Sequence, residues 1–229
     1  MATKLTTPTQ YTTSSPAPAV RVTLLQPRAF VGKNGKPQGE PKYGLQLLLD
    51  PAGHDAISIS KMVKAIAAEA FPGVAPAKLR WPVQAGDKMN QKRAARGKDA
   101  FAPAAGRLIL TARSAVQPRL SANINNSVVD LADAEQIKLH GRLFYNGARM
   151  LVQVNFAPYG EGADADGGEN PPGITAYLNH VYSTGLGDRI GGGGPATEVF
   201  KGYLGATTAY DPMTDTTGDD AQASEDTPF

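Results

Sequence analysis

The sequence predicts a mainly β protein that carries one long helix. Twenty-five glycines and 18 prolines lie in short clusters and divide the 229 residues into brief segments. Most segments alternate apolar and polar side chains, which is the period of a strand with one buried face. A single segment, residues 55–71, repeats its apolar residues with the period of a helix instead.

The first two predicted strands form a hairpin. Val20, Val22 and Leu24 alternate with Arg21, Thr23 and Leu25 and are expected on one face. A second alternating run covers residues 43–49. An Asn-Gly pair lies between the runs and favours a tight turn, because both residue types tolerate positive φ. Lysines flank this pair, so the hairpin is expected to have a basic tip.

The helix and the segment after it are predicted next. Apolar residues between 59 and 70 share one face of a helix that runs from about Asp55 to Phe71. Residues 72–106 show no regular period and are predicted to form a loop-rich basic insertion with a short helical piece around 88–96.

Further strands are predicted in the second half of the chain, joined by loops. Alternation or short apolar runs place them at 108–110, 143–145, 151–159 and 174–182. Between the last two lies an acidic connection rich in glycine, residues 160–173.

These elements are predicted to form one domain, residues 18–206, between two tails. Residues 1–17 form a polar arm rich in Thr, Ser and Pro, which is expected to be flexible. Residues 207–229 bury little apolar surface, so they are expected to be a disordered acidic tail.

The formal net charge of +2 conceals an uneven distribution. Residues 1–120 carry 18 basic and 6 acidic side chains, whereas residues 121–229 carry 5 and 15. The last 19 residues hold six acids and no base, so the remaining body has a charge of +8. A basic body indicates an anionic partner.

Several classes of protein are excluded by the composition. No apolar run approaches the roughly 18–20 residues of a membrane span, so no membrane association is predicted. The absence of cysteine removes disulfides, thiolate metal sites and cysteine nucleophiles, and a cytoplasmic location is expected. The three histidines are scattered and no nucleotide-binding or nucleophile motif occurs, so neither a catalytic residue nor a metal or other cofactor is predicted.

Basic residues interleaved with aromatic residues on a β framework are typical of proteins that bind single-stranded nucleic acid. Lysine and arginine attract phosphates irrespective of sequence, and exposed aromatic rings stack on unpaired bases. The predicted nucleic-acid contacts are Arg80, Trp81, Lys88, Lys92, Arg93, Arg96, Lys98, Arg113, Arg119, Arg142, Tyr145, Arg149, Tyr159 and Tyr177.

The end of the chain combines acids with a terminal Pro-Phe. A terminal Phe with its own carboxylate suits a small apolar pocket rimmed by a basic side chain, and nearby acids add electrostatic steering. The predicted partner-binding residues are Asp219, Asp220, Glu225, Asp226, Pro228 and Phe229.

This ending resembles the acidic tip of bacterial single-stranded-DNA-binding proteins and the tails of several phage proteins of that function. The body resembles a phage family of single-stranded-DNA-binding proteins with an oligonucleotide/oligosaccharide-binding (OB) fold, through residues 41–50, 141–159 and 172–179. The resemblance implies a five-stranded OB barrel with extra strands and the 55–71 helix, crossed by DNA on its strand face. It also implies a tail that recruits replication or recombination proteins and competes with DNA for the basic groove.

The main hypothesis is therefore a non-enzymatic, phage-encoded protein that coats and protects single-stranded DNA in replication, recombination or repair, in the cytoplasm of the host cell. One alternative is a virion structural or assembly protein that contacts packaged nucleic acid. A second is a metal-dependent nuclease that uses Asp130, Asp133 and Glu135, although these acids look more like a turn and a short helix. The oligomeric state is left open.

Overall fold

The computed structural model describes residues 5–31, 37–160, 162–163 and 169–191. The predicted hairpin tip at Asn34-Gly35, most of the acidic connection and the acidic tail lie outside these residues. The strands are β1 Gln10–Thr12, β2 Ala17–Val31, β3 Pro37–Leu49, β4 Val83–Ala85, β5 Leu108–Ser114, β6 Arg119–Ile124, β7 Ser127–Asp130, β8 Arg149–Tyr159, β9 Gly162–Ala163, β10 Glu169–Asn170 and β11 Gly173–Ser183. The α-helices are α1 His54–Ala70, α2 Gly86–Ala94 and α3 Ala134–His140, and three 3₁₀ turns lie at Pro76–Lys78, Ala102–Ala104 and Gly141–Leu143.

Five strands close into a barrel. The ring runs β2-β3-β5-β11-β8 and returns to β2, where Ala17 pairs with Met150. Only the β5–β11 pair within this ring is parallel, and the other four pairs are antiparallel. A five-stranded barrel of this kind with additional strands is an OB-like fold, so the predicted fold class is confirmed.

The barrel interior is filled by the inward side chains of the alternating strands. Buried residues such as Leu47, Leu110, Val152 and Phe156 belong to one apolar cluster. Helix α1 adds its apolar face, including Ile59, to the same cluster. The helix predicted over 55–71 is thus confirmed, and its apolar stripe packs as the period required.

The predicted shared face of Val20, Val22 and Leu24 is wrong, because β2 contains a bulge. Val20 pairs with Gln46 and Thr23 with Gly44, so two residues of β2 oppose one residue of β3. Leu24 therefore points into the barrel, whereas Val20 packs in a second cluster on the outer face.

The basic insertion covers part of the outer surface of the barrel. Met89 of α2 and Ala104 pack on Val20, Leu48 and Ile109, which are outward residues of β2, β3 and β5. Strand β4 pairs with Leu108–Leu110 of β5. The same edge of β5 pairs with β11 at Arg113, farther along the strand. The short helical piece predicted near 88–96 is present as α2, and the insertion is docked on the barrel rather than projecting from it.

The strand predicted at 143–145 is wrong. Gly141–Leu143 is a 3₁₀ turn, and the following Phe144 is buried in the main cluster. The short apolar run Leu-Phe-Tyr therefore reflects the burial of a turn. A run of only three apolar residues does not distinguish a buried turn from a strand. The hairpin β6–β7, with Asn125 and Asn126 at positive φ, was not predicted.

The arm predicted to be flexible is instead held on the barrel from residue 6 to residue 15. Strand β1 pairs with Gln153–Asn155 of β8. Glu69 at the end of α1 accepts hydrogen bonds from the backbone and hydroxyl of Thr6 and Thr7. Polar Thr and Ser residues suggest flexibility by composition, but here they are donors to carboxylates that lie far along the chain.

A second carboxylate holds the other end of this arm. Asp55 is buried and accepts hydrogen bonds from the Tyr11 hydroxyl at 2.8 Å and from the backbone of Ser14 and Ser15 at 2.9 and 3.0 Å. Burial alone would raise the pKa of Asp55, but these hydrogen bonds outweigh burial and the pKa lies below its ordinary value. Burial, followed by the bond to Asp55, raises the pKa of Tyr11.

We expect the arm to detach in acid. The backbone hydrogen bond from Thr6, followed by those from Thr7, lowers the pKa of Glu69 from 4.5 to about 2. A carboxylate with a lowered pKa stabilises the docked state fully above its ordinary pKa and loses that effect as the pH falls through the lowered one. NMR shifts of the Thr6 and Thr7 amides should therefore report docking above pH 4.5 and its loss toward pH 2. Glu69→Gln should alter these shifts at neutral pH, whereas Glu135→Gln on α3 should not; unaltered shifts in Glu69→Gln would contradict the role of this carboxylate.

Within the described residues, no helix combines the length and the apolar character that a membrane span requires.

Candidate nucleic-acid interface

The outer face of the barrel is divided into a covered half and an open half. The covered half is apolar and lies beneath the insertion, as described above. In the open half, a row of paired residues crosses the sheet: Thr23, Gly44, Arg113, Tyr177 and Asn155. Residues that pair directly across strands lie on the same face, so this row presents polar, basic and aromatic groups to solvent.

Gly44 allows Arg113 to lie close to the sheet. A Cβ at residue 44 would be 2.9 Å from the carbonyl oxygen of Ala112 and 3.0 Å from Cγ of Arg113. Next to this row, Gln46 donates a hydrogen bond to the Thr111 hydroxyl at 3.1 Å. The row therefore presents the exposed side chains of Arg113 and Tyr177 to solvent.

Two adjacent cavities lie on the open half and share Thr111 and Arg113 as lining residues. The two cavities together are named the groove. The first, of about 370 Å³, lies along the β2–β3 hairpin. The second, of about 340 Å³, lies between β5, the start of β11 and the segment before β4. A groove that crosses several strands of the barrel can hold an extended chain.

The wall of the second cavity is formed by Arg80, Trp81 and Tyr159. The Trp81 indole N–H donates to the carbonyl of Pro76 at 3.0 Å, and its ring is partly buried against the main cluster. The backbone of Arg80 pairs with β11: its N–H donates to Pro172 and its carbonyl accepts from Ile174. These bonds fix the position of the indole at the cavity edge.

Tyr159 keeps a neutral hydroxyl in this wall. Burial raises the pKa of Tyr159, and the nearby Arg80 charge only partly opposes that rise. Tyr177 is more open, with 49% of its surface exposed. The groove is thus lined by three aromatic side chains, Tyr43, Trp81 and Tyr159, and Tyr177 lies beside it next to Arg113. Aromatic rings in such positions can stack on planar ligands.

The groove is strongly basic. One acidic residue, Glu40, lines it, together with five basic residues: Arg21, Arg28, Lys42, Arg80 and Arg113. Among the residues that the structure describes, the ion pair within 4.0 Å is that of His54 with Asp55, away from the groove. The positive charges of the groove are therefore not neutralised by carboxylates of the described part of the chain, and a cleft of one sign attracts anions.

The structure brings some of the predicted contacts together and separates others. Arg80, Trp81, Arg113 and Tyr159 line the groove, and Tyr177 pairs beside Arg113. The remaining predicted residues do not line it. They comprise the basic group on and after α2, which is Lys88, Lys92, Arg93, Arg96 and Lys98, and four residues elsewhere, Arg119, Arg142, Tyr145 and Arg149.

Tyr145 is engaged in contacts within the fold. Its hydroxyl donates to the carbonyl of Gly187 at 2.7 Å, and the Arg189 guanidinium lies 4.6 Å from the centre of its ring. The ring is also packed against the main cluster. These contacts give Tyr145 a structural role in holding the segment after β11.

Four groove residues were missed by the sequence reasoning: Arg21, Arg28, Lys42 and Tyr43. All four lie on the β2–β3 hairpin, whose basic tip was predicted. The signal was therefore present as basic residues flanking the tip, but simple alternation cannot place Arg21 outside the barrel without the bulge.

The acids considered for a nuclease have another use in the structure. Asp133 caps α3, where its carboxylate accepts from the Gln136 N–H at 2.8 Å. Across the described ranges, no group of three or more His, Asp or Glu residues is placed to hold a metal ion. The prediction of a short helix is confirmed for Asp133 and Glu135, whereas Asp130 is the last residue of strand β7.

An OB-like barrel whose open strand face carries a basic groove with aromatic walls defines an oligonucleotide-binding protein of the OB class. The comparison with protein families narrows this class. A family model described as the single-stranded-DNA-binding protein of Enterobacter phage Enc34 matches residues 20–212, so the chain belongs to this phage family.

Solved structures support the fold. The single-stranded DNA-binding protein from bacteriophage Enc34 is 19% identical, with a TM-score of 0.54, and the match covers 86% of this chain and 95% of that one. The same phage protein in complex with single-stranded DNA is 20% identical, with a TM-score of 0.53, over 83% of this chain and 97% of that one. No curated protein matches the sequence.

Proposed function

We propose that this protein binds single-stranded DNA in the groove and protects it during phage DNA replication, recombination or repair. The observation that carries the proposal is the open half of the barrel face, where unpaired basic residues and exposed aromatic rings converge within the fold of this family. A non-enzymatic role in the cytoplasm of the host cell is part of this proposal.

The groove suits a single strand for two reasons. Arginine and lysine side chains at its sides neutralise phosphates and release counterions, which gives affinity without sequence preference. Trp81, Tyr159 and Tyr177 offer rings to unpaired bases, and each stacked base contributes about 1–3 kcal/mol. In a duplex the bases already stack on each other, so the aromatic contribution is lost.

The basic insertion is proposed to extend this contact. Gln84 of β4 lines the groove, and α2 begins directly after β4. Lys88 and Lys92 lie one turn apart on α2, Arg96 follows the end of this helix, and all three are exposed. A strand that leaves the groove past β4 would meet this row of charges.

Binding is tested by titrating the protein with fluorescent oligo-dT and with a duplex of equal length at matched salt. We expect tighter binding of oligo-dT and a steep loss of affinity as salt rises. Equal or tighter binding of the duplex would overturn the proposed function, and salt-stable binding would contradict the electrostatic part of it.

The acidic tail is proposed to recruit replication or recombination proteins and to compete with DNA. This proposal is supported by the sequence of the final residues, which places six acids and a terminal Phe229 on a basic body. A tethered polyanion reaches a high effective concentration at a basic groove, and salt screens that competition.

Deletion of residues 211–229 should raise affinity for oligo-dT by roughly tenfold at low salt and much less at high salt. Anisotropy titrations at two salt concentrations measure this change. The control is a full-length variant with the six acids replaced by their amides, which should reproduce the gain; an unchanged affinity in both variants would exclude competition by the tail.

A further inference from the structure

The bulge in β2 places an arginine in a backbone conformation that favours glycine. Arg21 has a φ of 52°, in the left-handed region, and it is the first of the two residues that oppose one residue of β3. In bulges of this kind the first residue is usually glycine, because a Cβ is unfavourable there. The chain thus carries local strain at a residue that lines the groove.

The bulge changes the side of the sheet on which Arg21 lies. Ala19 and Leu24 both belong to the inner cluster. Four residues lie between them, so regular alternation would place these two side chains on opposite faces of the strand. Regular alternation from Ala19 would direct residue 21 into the barrel, where a charge is costly. The extra residue of the bulge instead leaves Arg21 exposed beside the groove.

A side chain from another part of the fold supports the bulge. The backbone N–H of Val22 donates to the side-chain oxygen of Asn146 at 2.9 Å. The turn that contains Asn146 is itself bound to β2, because Gly147 N–H donates to Ala19 and Ala19 N–H donates to Ala148. The strained conformation is therefore held by contacts beyond the bulge itself.

Fold stability does not account for an arginine here. Glycine would adopt this φ without a Cβ clash, and within the described part of the chain no carboxylate lies within 4.0 Å of the Arg21 guanidinium. Strained residues that their surroundings hold in place are concentrated at functional sites. Arg28 and Lys42 line the same cavity, so the local field already favours an anion.

We propose that Arg21 is a phosphate contact of the groove and that Asn146 is its positioning residue. This inference rests on the proposed function, because the phosphate belongs to the bound single strand. The guanidinium supplies charged hydrogen bonds to a phosphate, and Asn146 keeps the bulge that directs Arg21 to the groove.

The test uses oligo-dT titrations over a series of salt concentrations, together with melting temperatures. Arg21→Gly should weaken binding roughly three- to tenfold at low salt and reduce the slope of log affinity against log salt by about 0.7, the value for one phosphate. Its melting temperature should stay within a few degrees of the wild type, since relief of strain offsets the added backbone freedom. Arg21→Ala should show the same loss of affinity, and Arg21→Lys should restore most of it.

Asn146→Ala should also weaken binding, but not further in an Arg21→Gly background, because it acts through Arg21. Lys61→Ala, which removes an exposed charge from α1, is the matched control and should bind like the wild type. Wild-type affinity in both Arg21→Gly and Arg21→Ala would overturn this inference alone. A wild-type protein that fails to bind oligo-dT would overturn the proposed function itself.

Discussion

Replacing Arg113 and Tyr177 together by alanine is expected to lower affinity for oligo-dT about a hundredfold. The two residues pair side by side at the centre of the row that crosses the open face. A stacked base contributes about 1–3 kcal/mol and a charged hydrogen bond a similar amount, so the combined loss is close to 3 kcal/mol. Both side chains are largely exposed, so the melting temperature should change little.

Anisotropy titrations of the double variant and of each single variant measure this effect. The matched control is Lys138→Ala with Leu139→Ala, since these neighbours on α3 are also a basic and an apolar residue and are both exposed. The control should bind like the wild type. A loss below fivefold in the double variant would contradict the placement of the DNA across this row.

The second large effect is expected from Gly173→Ala, which removes no group that could contact DNA. A Cβ at residue 173 would overlap the carbonyl oxygen of Arg80 and would lie 2.9 Å from the Tyr159 hydroxyl. The methyl group must therefore push the Arg80 segment away from β11 and carry Trp81 with it. Affinity should fall roughly thirtyfold, equivalent to about 2 kcal/mol for one stacked base.

Stability should fall as well in Gly173→Ala. Overpacking costs about 1–3 kcal/mol, which corresponds to a decrease of several degrees in the melting temperature of a domain of this size. Gly160→Ala is the control, because a Cβ there meets no atom within 4 Å. Trp81 fluorescence that is identical in Gly173→Ala and the wild type would show that the wall of the cavity had not moved, contrary to this prediction.

The fold was predictable wherever one local period ran without interruption. Helix α1 and strand β8 were found within two residues of their ends, because each buries a continuous stripe. Strand β11 was found equally closely, although a bulge between Leu178 and His180 shifts its alternation. Val20 and Leu24 show the limit, since an inserted residue in β2 moves them to different faces. The contacts of Thr6 with Glu69 show another limit: they join residues 63 positions apart, and composition carries no sign of them.

The sequence predicted the chemistry of the site better than it predicted which residues line the groove. Basic and aromatic residues indicated single-stranded nucleic acid, and Arg80, Trp81, Arg113 and Tyr159 do line one groove. The aromatic residue Tyr145 was misleading because its hydroxyl and ring are used within the fold. Alternation predicts which side chains point out of the barrel. It does not show which part of the outer surface is covered, here by the basic insertion.

The closure of the barrel between distant strands has a consequence for the order of folding. The Val152 N–H donates to the Thr13 hydroxyl across 139 positions, and the β5–β11 pair joins segments on either side of five intervening strands. Closing such long loops is entropically unfavourable and slow. Since Ile174 to Ala176 line the groove, a growing polypeptide cannot complete it until β11 has left the ribosome. The hairpin β2–β3 and helix α1 are thus expected to form early, with the groove assembled near the end of synthesis.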